Sequence, residues 1–271
     1  MRQQKLKAKA SARSEEWAHA FLHIEDYISK AEVEDRYKQT LDFIKQTIKV
    51  RKAGFGWSGG KESIVLADLM RDAGVSTCCF VFNSNLYYRN YVEWALKHMP
   101  EGCQVFDRAD DFNFAVMDRK GIEAFSENAA DYNRFMDLNH RSAYPVFCKR
   151  NGLDMFIMGR RKTDNNVCGK APDYILRAKG RPYDSFSPMA EWSVEEVLGY
   201  IHYFRGGYEA LPPQYQYLRG WHLGSDSPIF LRLGDMTRTE MWAEVYKNEP
   251  ALVERAAKHL QSARDFLVNR P

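Results

Sequence analysis

The sequence predicts a doubly wound α/β fold with a mainly parallel sheet. Short apolar segments typical of buried strands alternate with amphipathic segments typical of helices along most of the chain. The clearest unit is a strand that runs into the glycine turn Ser58-Gly59-Gly60, after which a helix begins at Lys61. Such alternation favours parallel strands with helices on both faces and places ligands at the carboxyl ends of the strands.

Four segments divide the chain. Residues 1–13 carry five lysine or arginine residues and no acid, so we predict a basic, flexible tail. Residues 14–47 repeat apolar side chains at helical spacing and should form N-terminal helices. The alternating strands and helices occupy 48–235, which we assign to one α/β domain. The remaining residues, 236–271, should form a C-terminal helix.

Apolar runs and helical periodicity give the order of elements. We predict strands at 48–58, 75–82, 103–107 and 153–158. We predict helices at 61–73, 87–98, 112–140, 193–205 and 237–269, with an irregular stretch at 163–187.

Composition limits the class of protein. A hydrophobic content of 45% supports a sizeable core, and a net charge of +3 favours no particular partner. The five cysteines form no C-x-x-C pair, which indicates a reduced compartment, and we predict no metal site. We see no signal peptide and no apolar run of membrane-spanning length. These observations predict a cytoplasmic protein without a membrane partner.

The turn after the first strand has the chemistry of an anion site. A helix that opens from a glycine turn points several backbone N–H groups and its positive end at one position. Gly59 and Gly60 allow a phosphate to approach the backbone closely. Ser58 and Ser63 add hydroxyl donors, and Lys61 adds a positive charge.

Two common nucleotide motifs do not fit this turn. The mononucleotide P-loop needs a glycine where Phe55 stands and a serine or threonine where Glu62 stands. No G-x-G-x-x-G dinucleotide pattern fits either. The segment SGGKES instead resembles the SGGKDS signature, or PP-loop, of the N-type ATP pyrophosphatases and phosphoadenylyl-sulfate (PAPS) reductases. This superfamily is also called the adenine nucleotide alpha hydrolases.

Later segments extend the resemblance over roughly residues 50–225. Residues 156–164 look like the G-x-R-x-x-[DEQ] element of the PAPS reductase branch, with Gly159, Arg161 and Asp164 in the matching places. Residues 186–201 resemble a Pro-Leu-x-x-Trp-Thr stretch of the family, and residues 211–224 resemble its Leu-Pro…Gly-Tyr-x-Ser-Ile-Gly segment. The ordered set of matches is more specific than any one of them.

Departures from the family pattern concern the reductive chemistry. The reductases attack sulfur with a cysteine near the C-terminus, whereas no cysteine follows Cys168 here. Ser225 stands where iron–sulfur members have a cysteine. Asn83 and Asn90 replace acidic positions after the second strand, and Glu62 replaces the aspartate of the loop. We therefore expect no cysteine nucleophile.

The resemblance implies a nucleotide-binding α/β domain and cleavage of ATP at the α phosphate, with adenylylation of an anionic acceptor. Lys61 and Arg161 would be catalytic, and Mg²⁺ would accompany ATP. The phosphates would be held by Ser58, Gly59, Gly60, Lys61, Glu62, Ser63, Gly159, Arg161 and Asp164. Candidates for the second-substrate pocket are Asn83, Arg160, Lys162 and His222. The basic residues of 160–181 suggest that this substrate is anionic.

Several alternatives stay open. The chain could use a sulfonucleotide such as PAPS with an external reductant. It could be the nucleotide-binding component of a nucleic-acid modification or defence system, with a protein or nucleic-acid partner, or a catalytically silent nucleotide sensor. A homodimer is also open. Finally, residues 56–60 fit G-x-S-x-G, so Ser58 could be a hydrolase nucleophile if a histidine activates it.

Overall fold

The computed structural model describes residues 14–164, 166–177, 180–216, 228–230 and 236–270. Six strands of this part form one sheet, in the order β3-β2-β1-β4-β6-β5. The strands are β1 (Ala53–Trp57), β2 (Cys78–Phe82), β3 (Gln104–Asp107), β4 (Met155–Ile157), β5 (Ile175–Leu176) and β6 (Asp184–Phe186).

Helices cover both faces of the sheet and extend beyond it at both ends of the chain. They are α1 (Ser14–Leu22), α2 (Lys30–Ile48), α3 (Lys61–Asp72), α4 (Arg89–His98), α5 (Phe114–Arg119), α6 (Ala129–Met136), α7 (Ala143–Asn151), α8 (Val194–Phe204), α9 (Arg238–Asn248), α10 (Pro250–Ala257) and α11 (Gln261–Asn269). Capping boxes at Ser29, Ser193 and Thr237 fix where α2, α8 and α9 begin, since each side chain accepts a backbone N–H of the first turn.

The sheet is parallel except at one edge, which confirms the predicted fold class. β1 pairs with β2 on one side and with β4 on the other, both in parallel. Only β5 runs antiparallel, against β6. The chain adds β2 and β3 on one side of β1 and then continues with β4 on the other side, so the strand order reverses between β1 and β4. Open α/β sheets bind ligands at such a switch point, outside the carboxyl ends of the strands. Those ends are the glycine turn after β1 and the segment after β4.

The N-terminal helices pack against the α/β domain. Gly199 of α8 lies so close to α2 and the segment before it that an added Cβ would come within 2.8 Å of the Ile28 side chain. The Trp192 indole N–H donates to the Thr40 hydroxyl at 2.9 Å, and Arg36 pairs with Glu196 at 2.6 Å. These buried contacts join α2 to α8 as parts of one core.

The C-terminal segment forms three helices, which corrects the single predicted helix. Glu249 leaves the helical conformation, with φ −151° and ψ 84°, and Pro250 then begins α10. The three helices pack on α4 and on the region after α5: Trp242 of α9 is buried against Phe125, and the Glu249 carboxylate accepts the Arg89 N–H at 2.7 Å. An acceptor at the first residue of α4 supplies the cap that its own sequence lacks.

Other boundaries differ from the predicted ones for local reasons. Ile48 ends α2, and Val50 is 87% exposed in the turn before β1, so the first strand is shorter than predicted. The predicted helix at 112–140 is interrupted between Arg119 and Ala129, where Gly121 and Phe125 have positive φ angles. Its end is a π-helical turn, Asp137–Arg141, followed by α7, which was not predicted. The irregular stretch contains β5 and β6.

Within the described residues, no helix is both long and apolar enough to cross a membrane.

Candidate functional site

The glycine turn lies at the switch point and has the backbone that an anion cradle needs. Gly59 has φ +69°, and a Cβ at this position would come within 3.1 Å of the Ala95 side chain. A residue with a side chain would be strained here and would also clash with α4. Gly60 precedes α3 in an extended conformation, and its carbonyl accepts the Ser63 hydroxyl at 2.8 Å. The first turn of α3 thus faces the end of β1.

One N–H of this turn is already bound by a distant side chain. The Lys61 amide donates to the Tyr215 hydroxyl at 3.0 Å, and Tyr215 is buried. Gln214, beside it, donates to the Asn90 side chain of α4 at 2.5 Å. The segment around Tyr215 therefore closes one side of the cradle. No local sequence pattern indicates this contact, because the two partners are far apart in the chain.

The charged residues of the site form a four-residue network of two buried cations and two partly buried carboxylates, which we call the paired cluster: Lys61, Glu62, Arg161 and Asp164. Lys61 Nζ lies 2.8 Å from Glu62 Oε1, and Arg161 Nη2 lies 3.1 Å from the same oxygen. Arg161 also donates to Asp164 from Nη2 and from Nε, at 2.9 and 3.1 Å. Lys61 and Arg161 are only 3% and 1% exposed. Buried cations need such partners, because an unpaired charge is costly inside a protein.

Gly159 allows the paired cluster to assemble. A Cβ on this residue would lie 3.2 Å from Glu62 Cβ and from the Glu62 carbonyl oxygen, so the end of β4 approaches α3 directly. This close approach brings Arg161 to Glu62. Gly159, Arg161 and Asp164 thus lie next to the glycine turn, and their role in nucleotide binding stays a prediction.

The paired cluster keeps one guanidinium nitrogen available. Arg161 Nη1 is buried and has no hydrogen-bond partner among the described residues. The two cations and two carboxylates sum to zero charge, so an entering phosphate competes with Glu62 for Lys61 and Arg161. The arrangement can hold an oxyanion by exchange of partners, with Nη1 as an added donor.

Ser58 lies at the mouth of the turn as an exposed residue. Its hydroxyl accepts the Gly60 N–H at 3.4 Å. Within the described residues no histidine hydrogen-bonds to it, so the hydrolase alternative gains no support from this geometry.

Lys162 is an exposed side chain and is not enclosed in the paired cluster. It pairs with Glu191 and lies over the Tyr174 ring at 4.9 Å, while the Tyr174 hydroxyl donates to the same carboxylate at 3.0 Å. The neighbouring Glu191 raises the pKa of Lys162. The basic residues of 160–181 suggested an anionic second substrate, but Arg161 and Lys162 already have carboxylate partners within the protein. His222 and Lys179 lie outside the described residues.

Asn83 follows β2 and is fully buried in a hydrogen-bond network, where we had expected a pocket position. Its amide donates to the Phe112 carbonyl at 2.7 Å and to the Asn139 side chain at 2.8 Å. Asn139 in turn donates to the Tyr87 hydroxyl at 3.2 Å, which contacts His140. The network ties β2 to the π-helical turn, and such turns are frequent at functional sites.

Four of the five cysteines are buried, as is typical of unreactive thiols, and the fifth, Cys168, is half-buried. Cys78, Cys79, Cys103 and Cys148 are buried, and burial raises the pKa of Cys148 to about 12. Cys168 is half-buried, and burial raises its pKa as well, whereas nearby Arg160 and Lys162 lower it.

The described residues contain no group of three or more histidine, cysteine or acidic side chains that could hold a metal ion. Mg²⁺ needs few protein ligands when it arrives with a nucleotide, because phosphates and water supply most of them. Glu62 is the carboxylate next to the glycine turn, so the donor set fits a cation carried by the substrate.

Comparison with known proteins gives fold likeness. No family model and no curated protein sequence matches the chain. Among solved structures, it is similar to the PAPS reductase of Candida auris in a phosphate complex: 14% identity, 65% of this chain, 86% of that chain and TM-score 0.45. It is similar to yeast FAD synthetase in complex with FAD: 15% identity, 69% and 66% coverage and TM-score 0.41. It is also similar to the NH3-dependent NAD synthetase of Campylobacter jejuni in complex with the nitrate ion. The identity is 15%, the match covers 88% of this chain and 92% of that chain, and the TM-score is 0.46.

The chain spans about two thirds of the yeast enzyme's length. At these identities and TM-scores the likeness carries no argument about the site, so its function must be argued from its own residues.

Proposed function

We propose that this chain is an adenine-nucleotide enzyme that cleaves ATP at the α phosphate and transfers the adenylyl group to an anionic acceptor. The observation that supports it is the convergence of buried Lys61 and Arg161 beside the glycine turn, at the switch point of the sheet. The SGGKES motif and the G-x-R element, which the family uses for nucleotides, provide these residues.

In this reaction the protein would position the phosphates of ATP and neutralise their negative charge. Backbone N–H groups of the glycine turn and the hydroxyls of Ser58 and Ser63 would hold the phosphates. Lys61 and Arg161 would stabilise the negative charge that develops in the transition state, after Glu62 yields its place between them. Mg²⁺, when bound with ATP, supplies further neutralisation of the phosphates.

Replacement of Lys61 tests the proposal. We expect Lys61→Ala to weaken ATP binding by about one to two orders of magnitude, since a charge-assisted contact contributes about 1.5–3 kcal/mol. Isothermal calorimetry measures the affinity, with Lys97→Ala on the exposed face of α4 as the matched control. Equal ATP affinity in wild type and Lys61→Ala, with both proteins folded, would contradict the proposal.

The same samples separate the alternatives. Pyrophosphate release with ATP indicates the proposed cleavage, whereas tight binding without release indicates a nucleotide sensor. A PAPS titration beside the ATP titration tests the sulfonucleotide alternative.

A further inference from the structure

Gln214 is a buried amide side chain beside the glycine turn, and the proposed function gives it no role. It is 1% exposed and lies in the short 3-10 helix Pro213–Gln216. Its Nε2 donates to the Asn90 side chain of α4 at 2.5 Å, so the nitrogen end of the amide is used. The oxygen end, Oε1, is buried and receives no hydrogen bond from the described residues. A buried acceptor in this state is rare in proteins and costs free energy.

Two contacts place this amide at the glycine turn. The next residue in the chain, Tyr215, accepts the Lys61 N–H at 3.0 Å. On α4, Tyr91 follows Asn90 directly, and its hydroxyl lies 3.4 Å from the position that a Cβ on Gly59 would take. The neighbours of both hydrogen-bonded amides thus reach the turn, one at the start of α3 and one at its glycine. A ligand held at the turn is therefore within reach of this amide.

The amide and Arg161 flank the glycine turn on different sides. The sheet order places β2, which leads into α4, on one side of β1 and β4 on the other. Arg161 follows β4 and has a buried donor without a partner, Nη1, whereas Gln214 contacts α4 and has a buried acceptor without one. A phosphate accepts hydrogen bonds and suits the donor. The acceptor requires a hydroxyl or an amine of the same ligand.

The ribose of a nucleotide supplies such a hydroxyl close to the phosphates. Ribose is bonded directly to the phosphate chain, so its hydroxyls are the nearest donors to phosphates held at the turn. The adenine amine is at the far end of the nucleotide. A neutral amide oxygen also suits this place better than a carboxylate, because a carboxylate would repel the phosphates.

We infer that Gln214 Oε1 accepts a hydrogen bond from a ribose hydroxyl, so that Gln214 discriminates against nucleotides that lack this hydroxyl. The inference rests on the proposed function, because that function places the phosphates of an adenine nucleotide at the glycine turn. The bound ribose satisfies an acceptor that the folded chain leaves unpaired. A nucleotide without the hydroxyl leaves it unpaired again, and the loss appears as weaker binding.

Deoxynucleotides test the inference in the unmodified protein. Calorimetry with ATP, 2′-deoxy-ATP and 3′-deoxy-ATP compares nucleotides that differ by one hydroxyl. We expect one of the two deoxynucleotides to bind the wild-type protein about tenfold more weakly than ATP does. Equal affinity for all three would overturn the inference and leave the proposed function standing, because ATP would still bind. Absence of ATP binding would overturn both.

Gln214→Leu shows whether this residue reads the hydroxyl. Leucine removes the acceptor, so the variant should bind ATP about tenfold more weakly and should no longer distinguish ATP from the weaker deoxynucleotide. Gln214→Met, which is closer in shape, is the second variant if Gln214→Leu does not fold. A preference for the hydroxyl that persists in the folded variant would assign it to another residue and overturn the inference.

The control is Gln104→Leu, which removes another amide that is hydrogen-bonded to an asparagine. Gln104 donates to Asn151 at 2.8 Å and lies at the amino end of β3, whereas the glycine turn follows the carboxyl end of β1. This variant should keep the wild-type affinities for all three nucleotides within about twofold.

Purine riboside triphosphate, which lacks the amino group of adenine, tests the other donor of the nucleotide. It carries both ribose hydroxyls, so Gln214→Leu should weaken its binding as much as it weakens the binding of ATP. If this nucleotide instead binds the wild-type protein more weakly than ATP, and Gln214→Leu abolishes the difference, the amide reads the base. That result would overturn the assignment to the ribose.

Discussion

Arg160 and Arg161 are adjacent arginines that follow β4, yet they differ in burial and in hydrogen-bond partners. Arg161 is buried in the paired cluster, with its fork on Asp164 and a further contact to Glu62. Arg160 is partly buried and donates to the Val167 carbonyl, and no described carboxylate forms an ion pair with it. Successive side chains of an extended segment point in opposite directions, so neighbouring residues meet different parts of the molecule.

The difference shows why a run of basic residues is a poor guide to a binding site. The sequence shows how many cations follow β4 but not which carboxylates approach them. Glu62 reaches Arg161 from another helix, and Glu191 reaches Lys162 from a later loop. After these pairings, Arg160 is the cation of this run that lacks a described carboxylate partner.

The largest expected effect is on stability, from Arg161→Ala. This change leaves Asp164 and part of the Glu62 charge buried without their cation, which costs about 3–5 kcal/mol. Urea denaturation measures the free energy of unfolding. Arg160→Ala is the matched control and should cost far less, because it removes a cation without such pairs. Equal destabilisation by the two changes would show that the contrast between the arginines is wrong.

A smaller effect on stability is expected from Tyr215→Phe. This variant tests the hydrogen bond from the Lys61 N–H to the Tyr215 hydroxyl beside the paired cluster. The Lys61 N–H loses its acceptor, so the free energy of unfolding should fall by about 1 kcal/mol. Saturating ATP should reduce this difference if phosphate oxygens take over the N–H. The control is Tyr27→Phe, whose hydroxyl has no hydrogen bond among the described residues. An unchanged unfolding free energy in Tyr215→Phe would contradict the role given to this hydroxyl.

The smallest expected effect is on the reactivity of the Cys168 thiol, whose pKa depends on Arg160. Arg160 lowers the pKa of Cys168, so Arg160→Ala should raise that pKa and reduce the thiolate fraction at pH 8. Labelling of Cys168 by a thiol reagent should therefore slow, because the thiolate is the reactive form. The other four cysteines are buried and should label slowly in the folded protein.

Labelling that depends equally on Arg160 and on Arg177, or on neither, would show that Arg160 does not influence the pKa of Cys168. The rate should rise with pH in every variant as long as the pH is below the pKa of Cys168, because the reactive form is the thiolate.

The sequence by itself determined the elements whose signals are local. The turn Ser58-Gly59-Gly60 predicted a strand end, an anion-binding backbone and the start of α3, because glycine conformation and helix-end geometry depend on neighbouring residues. Alternating apolar runs predicted β2, β3 and β4 and the parallel sheet. Gly159 and Arg161 of the G-x-R element lie beside the glycine turn, while their binding role remains a prediction.

Only the tertiary structure decided where β5 and β6 lie in the sheet and which charged and polar side chains are paired. β5 and β6 are two and three residues long, too short to show a period. β6 joins the sheet by pairing with β4, and β5 joins it by pairing with β6. Tyr215 reaches Lys61 and Glu62 reaches Arg161 through contacts between segments distant in the chain. Charge and hydrogen-bond pairing act through space, so the fold alone decides that Arg161 has carboxylate partners while Arg160 has a backbone carbonyl.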